Sequence, residues 1–263
     1  MNTRHAVPAT VACAVLGVAL FGGNLAPHDP ITPLGAPWNP PDSRALLGTD
    51  ALGRDVLSRI LAGGRHLTVT AGLAALVASV AGVTGGLLAG WRDGPVARLL
   101  SATADLLLAM PLLLIAMLIA VALPGTAAVV AATVCGGTPL TLRIVADAVR
   151  HIRSAGYVEA ALGRGESGPA ILRHEVLPAL AGLVGEDLGA RFVVALQLAA
   201  ALSLLGFGLA PPAPDWAAMI RENLAGAGLN PAALVAPAVA LALLCLAVAT
   251  AGHAAVGHSR RPR

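Results

Sequence analysis

The chain contains no lysine: all 17 of its basic residues are arginine. A phosphate-gripping P-loop ends in Gly-Lys-Ser/Thr, so no such loop is present, and "GRGESG" at Gly163–Gly168 is no nucleotide site. Aromatic residues are almost as scarce, with three Phe, three Trp and one Tyr. Charged residues make up 12% of the chain against 57% hydrophobic ones, and 30 residues are glycine. With a mean hydropathy of +0.79, that balance excludes an ordinary water-soluble core and describes a membrane protein in contact with lipid. A net charge of +3 is too small to argue for nucleic acid. The three cysteines, Cys13, Cys135 and Cys245, all lie in apolar runs, which excludes a disulfide frame and a metal site and makes them packing residues. No cofactor is expected.

What the sequence does hold is long apolar runs. A spanning helix takes about 20 mostly apolar residues, and six runs qualify: Val7–Leu25, Leu67–Gly90, Leu99–Leu123, Ala127–Val149, Leu180–Leu209 and Ala232–Val256. All are rich in Ala, Gly, Val and Leu, and small residues let helix backbones approach closely in lipid. The expected architecture is an all-α membrane protein of six spans forming one domain over residues 1–263, with a core over 67–256 completed by helix 7–25. The first run also resembles a secretory signal peptide, but it shows no clear cleavage site and is expected to be retained. Arginines set the orientation. With the N-terminus inside, the inner segments hold eleven (Arg4, Arg92, Arg98, Arg143, Arg150, Arg153, Arg164, Arg173, Arg260, Arg261, Arg263) and the outer ones five (Arg44, Arg54, Arg59, Arg65, Arg221). Both termini are therefore expected in the cytoplasm.

Two charged islands interrupt this pattern. The outer one, "LLGTDALGRDVLSRI" at Leu46–Ile60, holds Asp50, Arg54, Asp55 and Arg59. On a helical wheel Leu52, Val56, Leu57 and Ile60 fall on one side and the charges with Ser58 on the other. That predicts an amphipathic helix over 46–61, capped by Thr49, with ion pairs Asp50–Arg54 and Asp55–Arg59 on a solvated face. Lying on the membrane as an interfacial helix is the simplest role for it. The inner island falls between the fourth and fifth runs, where about thirty residues connect two helices that need only a few. Tyr157–Leu162 is predicted as a short helix, broken by Gly163, Gly165, Gly168 and Pro169 before a second piece leads to Pro178. Its helix-turn-helix outline suits either a basic inner loop or a docking surface for a soluble protein. Asp187 and Arg191, four apart inside the fifth run, are expected to pair and so lessen their membrane cost. Trp91 and Trp216 are expected as interfacial anchors.

These islands also carry a resemblance. "EAALGRG" at Glu159–Gly165, followed by "LP" at Leu177–Pro178, resembles the EAA loop of bacterial ABC importer permeases. "LGTDALGRDVLSRI" is similar to the LGTDxLGRDxxSR signature of the second-subunit permeases for dipeptides, oligopeptides and nickel. "DLLLAMP" at Asp105–Pro111 and "LSLLGFGLAPPAPDWAAMI" at Leu202–Ile220 resemble two further segments of that branch, in the same order. The sequence departs from the pattern at Arg173 and His174, which stand one residue early before Leu-Pro. It departs also at Ala199, often acidic in relatives; at Glu186, Asp187 and Arg191, usually uncharged there; and in the tail "GHAAVGHSRRPR".

The resemblance implies the type I importer permease fold in a bacterial plasma membrane. It also implies a sister permease, two cytoplasmic ATPases docked on the EAA loops, and an extracytoplasmic binding protein. Within the cytoplasmic loop 150–178 it assigns ATPase coupling to Glu159, Ala160, Ala161, Gly165, Leu177 and Pro178. The outer signature comprises Gly48, Thr49, Asp50, Gly53, Arg54, Asp55, Ser58 and Arg59. The implied cargo is a di- or oligopeptide, with nickel or a metal chelate as the alternative; substrate contacts are not assigned. Two other classes were weighed on the residues. A membrane enzyme would need more than "HEVLP", in which proline stands where a zincin's second histidine belongs, or than Asp105 as a proton relay. A channel would need a filter motif or a charge ring.

Overall fold

Small residues decide how closely the helices meet. Glycines 82, 86 and 90 recur every fourth residue along one face of helix α2 (Val56–Trp91) and lie against Thr141, Val145 and Val149 of α5 (Gly125–Arg153). A Cβ at Gly86 would stand 2.6 Å from Val145 Cβ and 2.8 Å from the Leu142 carbonyl, so the two backbones touch without intervening side chains. Gly86→Leu is therefore expected to prevent folded chain from accumulating in membranes. Gly185→Leu, at a position with nothing within 4 Å, should be tolerated, and fluorescence-detected size exclusion in detergent separates the two.

The computed structural model describes the backbone of residues 3–259 and the side chains of residues 10–251. Helix α1 (Thr3–Phe21) runs into a 3₁₀ turn, Gly22–Leu25. After α2 come α3 (Pro95–Leu108), α4 (Leu112–Ala122) and α5. The inner loop carries α6 (Gly156–Gly163) and α7 (Gly168–Ile171), joined through a π-turn, Leu172–Val176, to α8 (Leu177–Leu204). Helices α9 (Trp216–Asn223) and α10 (Pro231–Ser259) complete the chain. Among the described residues the only β pairing is two isolated bridges, Pro33 with Arg54 and Thr49 with Asp55.

Among the described residues, four helices are long and apolar enough to cross a membrane: Val56–Trp91, Gly125–Arg153, the continuous Gly168–Leu204, and Pro231–Ala251. The expected third span is not one straight helix. Pro111 has no N–H to give and sits between α3 and α4, whose axes turn by 92°; the pair makes a fifth span only if it crosses as a unit. The described apolar stretch of the first run, Thr10–Leu25, is shorter than the others. The fifth run ends earlier than Leu209, because Gly206 adopts a left-handed φ of 98° and stops α8 at Leu204. The Asp187–Arg191 pair does form, at 3.3 Å, and both side chains are buried. Asp105 pairs with Arg143 of α5.

The main apolar core gathers Leu67, Ala71 and Ala74 of α2, Ala195, Leu196 and Leu202 of α8, Trp216 and Met219 of α9, and Leu244 of α10. Trp216 is thus a core residue, not an interfacial anchor. Its indole N–H donates to the Ile60 carbonyl at 2.7 Å, and its ring fills the space above Gly63 and Gly64. A second core, of Val145, Val149, Val158, Ala161, Ile171, Val176 and Leu180, fixes the inner loop to the end of the bundle.

Candidate functional site

The outer signature does not form the expected amphipathic helix. Two turns occupy Leu46–Asp55, with Gly48 and Gly53 at φ of 71° and 75°; a Cβ would drive the first into the Asn39 carbonyl and the second into that of Gly35. The helix starts only at Val56, capped not by Thr49 but by Asp55, whose carboxylate accepts from Ser58 N at 3.2 Å and Ser58 Oγ at 2.5 Å. Thr49 instead accepts from Asn39 N and donates to the Ala36 carbonyl, binding the turns to the preceding loop.

The polarity is also inverted. Asp50, Arg54, Asp55, Ser58 and Arg59 are all at most 1% exposed, while of the side expected to be apolar Leu52 is 59% exposed and only Val56 is fully buried. Burying such charges requires partners, and the decisive one comes from α9. Glu222 Oε2 accepts from Arg54 Nη2 at 3.0 Å and from Arg59 Nη1 at 3.1 Å. Asp50 Oδ2 accepts from Arg54 Nε at 2.7 Å and from Arg59 Nη1, and its Oδ1 accepts the backbone N–H groups of Leu52 and Arg54. Two acids and two guanidiniums thus alternate in one buried cluster, and the expected Asp55–Arg59 pair is absent from it. Asp55 faces His28 Nδ1 at 3.2 Å instead.

Asparagines complete the join. Asn223 Oδ1 accepts from Ala51 N at 2.9 Å and Trp38 Nε1 at 3.2 Å, while Asn230 Nδ2 donates to the carbonyls of Leu47 and Thr49 at 3.0 Å each. Asp215 caps α9 and accepts from Ser203 Oγ. The signature segment and residues some 160 positions later, just past the second motif, therefore fold as one clasp, stapling the start of α2 to α9 and the start of α10. Burial pushes the Asp50 carboxyl up, but the N–H of Arg54 and the Arg59 guanidinium outweigh it and hold it below the ordinary 3.8.

At the inner end, α6 follows the predicted break. Val158 and Ala161 are buried against the second core, whereas Tyr157, Glu159, Ala160 and Leu162 are exposed. Ala161 thus seats the helix on its own bundle, and Ala160 is the small residue on the free face. Gly165, at φ of 80°, ends the helix in a Schellman motif: Glu166 N donates to the Ala161 carbonyl and Gly165 N to that of Leu162. Arg164 and Glu166 pair at 2.6 Å. Trp91 packs against Gly168, and Arg153 reaches the Trp91 carbonyl and Asp93, tying the loop to the ends of α2 and α5. Leu177 and Pro178 are exposed where the π-turn passes into α8. Arg173 and His174 lie inside the π-turn, a turn one residue wider than an α-turn.

Residues 82–258 match the family described as binding-protein-dependent transport system inner membrane component. The chain belongs to this family. Among similar proteins are a glutathione transport system permease protein, GsiD, of Pectobacterium atrosepticum (34% identical over 79% of this chain and 69% of the relative) and a peptide transport system permease protein, SapC, of Haemophilus influenzae (30% over 87% and 80%). A di/tripeptide transport system permease protein, DppC, of Pseudomonas aeruginosa is 35% identical over 78% of this chain and 70% of its own length. This inner membrane component is therefore a transport permease subunit of the binding-protein-dependent kind. Its family match spans the inner loop and most of the helices, while the outer signature lies ahead of the matched residues.

Sequence reasoning missed Glu222, Asn223, Asn230 and Trp38. The signal available for Glu222 was arithmetic: Asp50 and Asp55 face two arginines only if His28 is ignored, and an acid in a short polar helix just before the last span was unassigned.

Proposed function

We propose that this permease is one of two membrane subunits of an importer that carries short peptides inward, driven by ATPases that bind its inner loop. Six spans, with α1 the first and the bent α3–α4 pair the third, and both termini in the cytoplasm complete the reading. The observation that carries it is the free face of α6: a short helix rigidly seated on the bundle by Val158 and Ala161 yet presenting Glu159, Ala160 and Leu162 outward. Such a seat passes a rigid-body push from a gripping partner into α5 and α8. The names of the relatives support the cargo, two being for peptides and the third for glutathione, itself a tripeptide. A chain without a P-loop supports hydrolysis on other subunits.

The complex purified on a tag at this chain should contain a second permease and ATPases, and in vesicles should take up labelled tripeptides only with ATP and a binding protein. A homo-oligomer that transports without ATPases would overturn the reading. For orientation, a cysteine at exposed Leu52 should react with a membrane-impermeant thiol reagent in intact cells, whereas one at fully buried Ser58 should not. Labelling of Leu52→Cys only after lysis would reverse the topology.

A further inference from the structure

Halfway along α8 lies an arrangement that neither the clasp nor the inner loop uses. Glu186, Asp187 and Arg191 are the tenth, eleventh and fifteenth of the helix's 28 residues, in a helix long and apolar enough to cross a membrane. They line a cavity of about 600 Å³ whose remaining walls are largely apolar, including Ile144 of α5, Leu183 and Val194 of α8, and Val248 of α10. Asp187 is satisfied, by Arg191 at 3.3 Å and by Thr141 Oγ1 at 2.6 Å. Arg191 is 7% exposed, and its Nε makes no hydrogen bond despite that proximity. Glu186 has neither hydrogen bond nor ion pair among the described residues. A carboxylate on a spanning helix without a counter-charge is costly, and such groups in membranes serve bound ions or substrates.

We infer that this cavity is a subsite on the transport route that holds the N-terminal residue of a peptide, its ammonium on Glu186 and its first carbonyl on the Nε–H of Arg191, which stands 3.3 Å from Asp187 without a hydrogen bond. The inference rests on the peptide reading above. Charge decides the cation: the Asp187–Arg191 pair is neutral overall, so the uncompensated charge is that of Glu186, and an ammonium offsets it. The unused donor of Arg191 asks for an acceptor in the same ligand. An α-ammonium followed by a carbonyl places both groups a few ångströms apart, and the apolar walls take an aliphatic side chain. The volume suits a unit of this size, since ligand pockets run from about 300 to 1,000 Å³.

The test is uptake of a labelled tripeptide pool, with free or acetylated N-termini, by the complete complex in vesicles. Binding of the same pools to the separate binding protein is measured in parallel. For free peptides Glu186→Gln should raise KM about tenfold, the effect of losing about 1.4 kcal/mol of one charged contact. Glu186→Asp should restore much of the loss. Ile144→Trp, which fills the cavity from α5, should block uptake without touching a charge, and decides the matter if Glu186→Gln does not assemble. Parent-like uptake of free peptides by both Glu186→Gln and Ile144→Trp would overturn the subsite and leave the peptide permease standing. A parent complex that moves no member of either pool would overturn the peptide reading and the subsite with it.

Discussion

Replacing Asp50 with Asn is expected to be the most damaging single change in the clasp. The carboxylate accepts four hydrogen bonds, from Arg54 Nε, Arg59 Nη1 and two backbone N–H groups, and is fully buried. An amide in its place turns one acceptor into a donor aimed at guanidiniums and leaves the cluster one positive charge in excess. Breaking a buried ionic network by removing one partner costs about 3–5 kcal/mol, enough to release the clasp between α2 and α9. Purified Asp50→Asn should lose its native fold at a clearly lower temperature than the parent, while Glu222→Gln, on a side chain still 19% exposed, should lose less. The paired change Asp50→Ala with Arg59→Met removes one charge of each sign and should be milder than Asp50→Ala alone. A parent-like melting curve for Asp50→Asn would mean that the clasp contributes little. The same carboxylate sets a pH limit. Its folded value lies below 3.8, so its contribution is complete above that and is lost as pH falls through the folded value. The clasp should thus hold through mild acidification and loosen only under strongly acid conditions.

That cluster marks the boundary of what the sequence alone conveys. The apolar runs located four long helices because a span is a local property, legible from about 20 consecutive residues. The same holds for the Asp187–Arg191 pair, one helical turn apart, and for the end of α6, where glycines announce a break. Leu46–Ile60 failed for the opposite reason. Its wheel pattern was sound only if the segment were helical and met nothing else. Gly48 and Gly53 in left-handed turns end the first condition, and Glu222, from a segment more than 160 residues away, ends the second. Trp216 misled similarly: an aromatic near a span end suits an interface, but the bare surface of Gly63 and Gly64 accepts its ring. The bend at Pro111 was legible in principle, since proline inside an apolar run ends a helix, but run length outweighed it.

The inner loop is where local signals and the proposed mechanism meet, and two substitutions there should abolish transport while leaving the fold intact. Glu159 is exposed and unpaired among the described residues, so Glu159→Lys breaks no internal contact; it only reverses the charge on the free face of α6. Gly165 has nothing within 4 Å of a would-be Cβ, so the penalty of Gly165→Val is purely that of its φ of 80°. A left-handed conformation costs an ordinary residue about 1–2 kcal/mol, more for a β-branched one, which favours undoing the Schellman end and letting α6 swing relative to α7. The first variant should lose ATPases on purification. The second should keep them but uncouple ATP hydrolysis from uptake, because the helix is gripped without passing its motion to α8. Melting curves of both should stay close to the parent, which separates a failed transmission from a failed fold. Gly165→Asn, whose side chain tolerates the left-handed region, should recover much of the uptake lost in Gly165→Val. Uptake near the parent level in both Glu159→Lys and Gly165→Val would make the segment a passive loop and remove it from the mechanism.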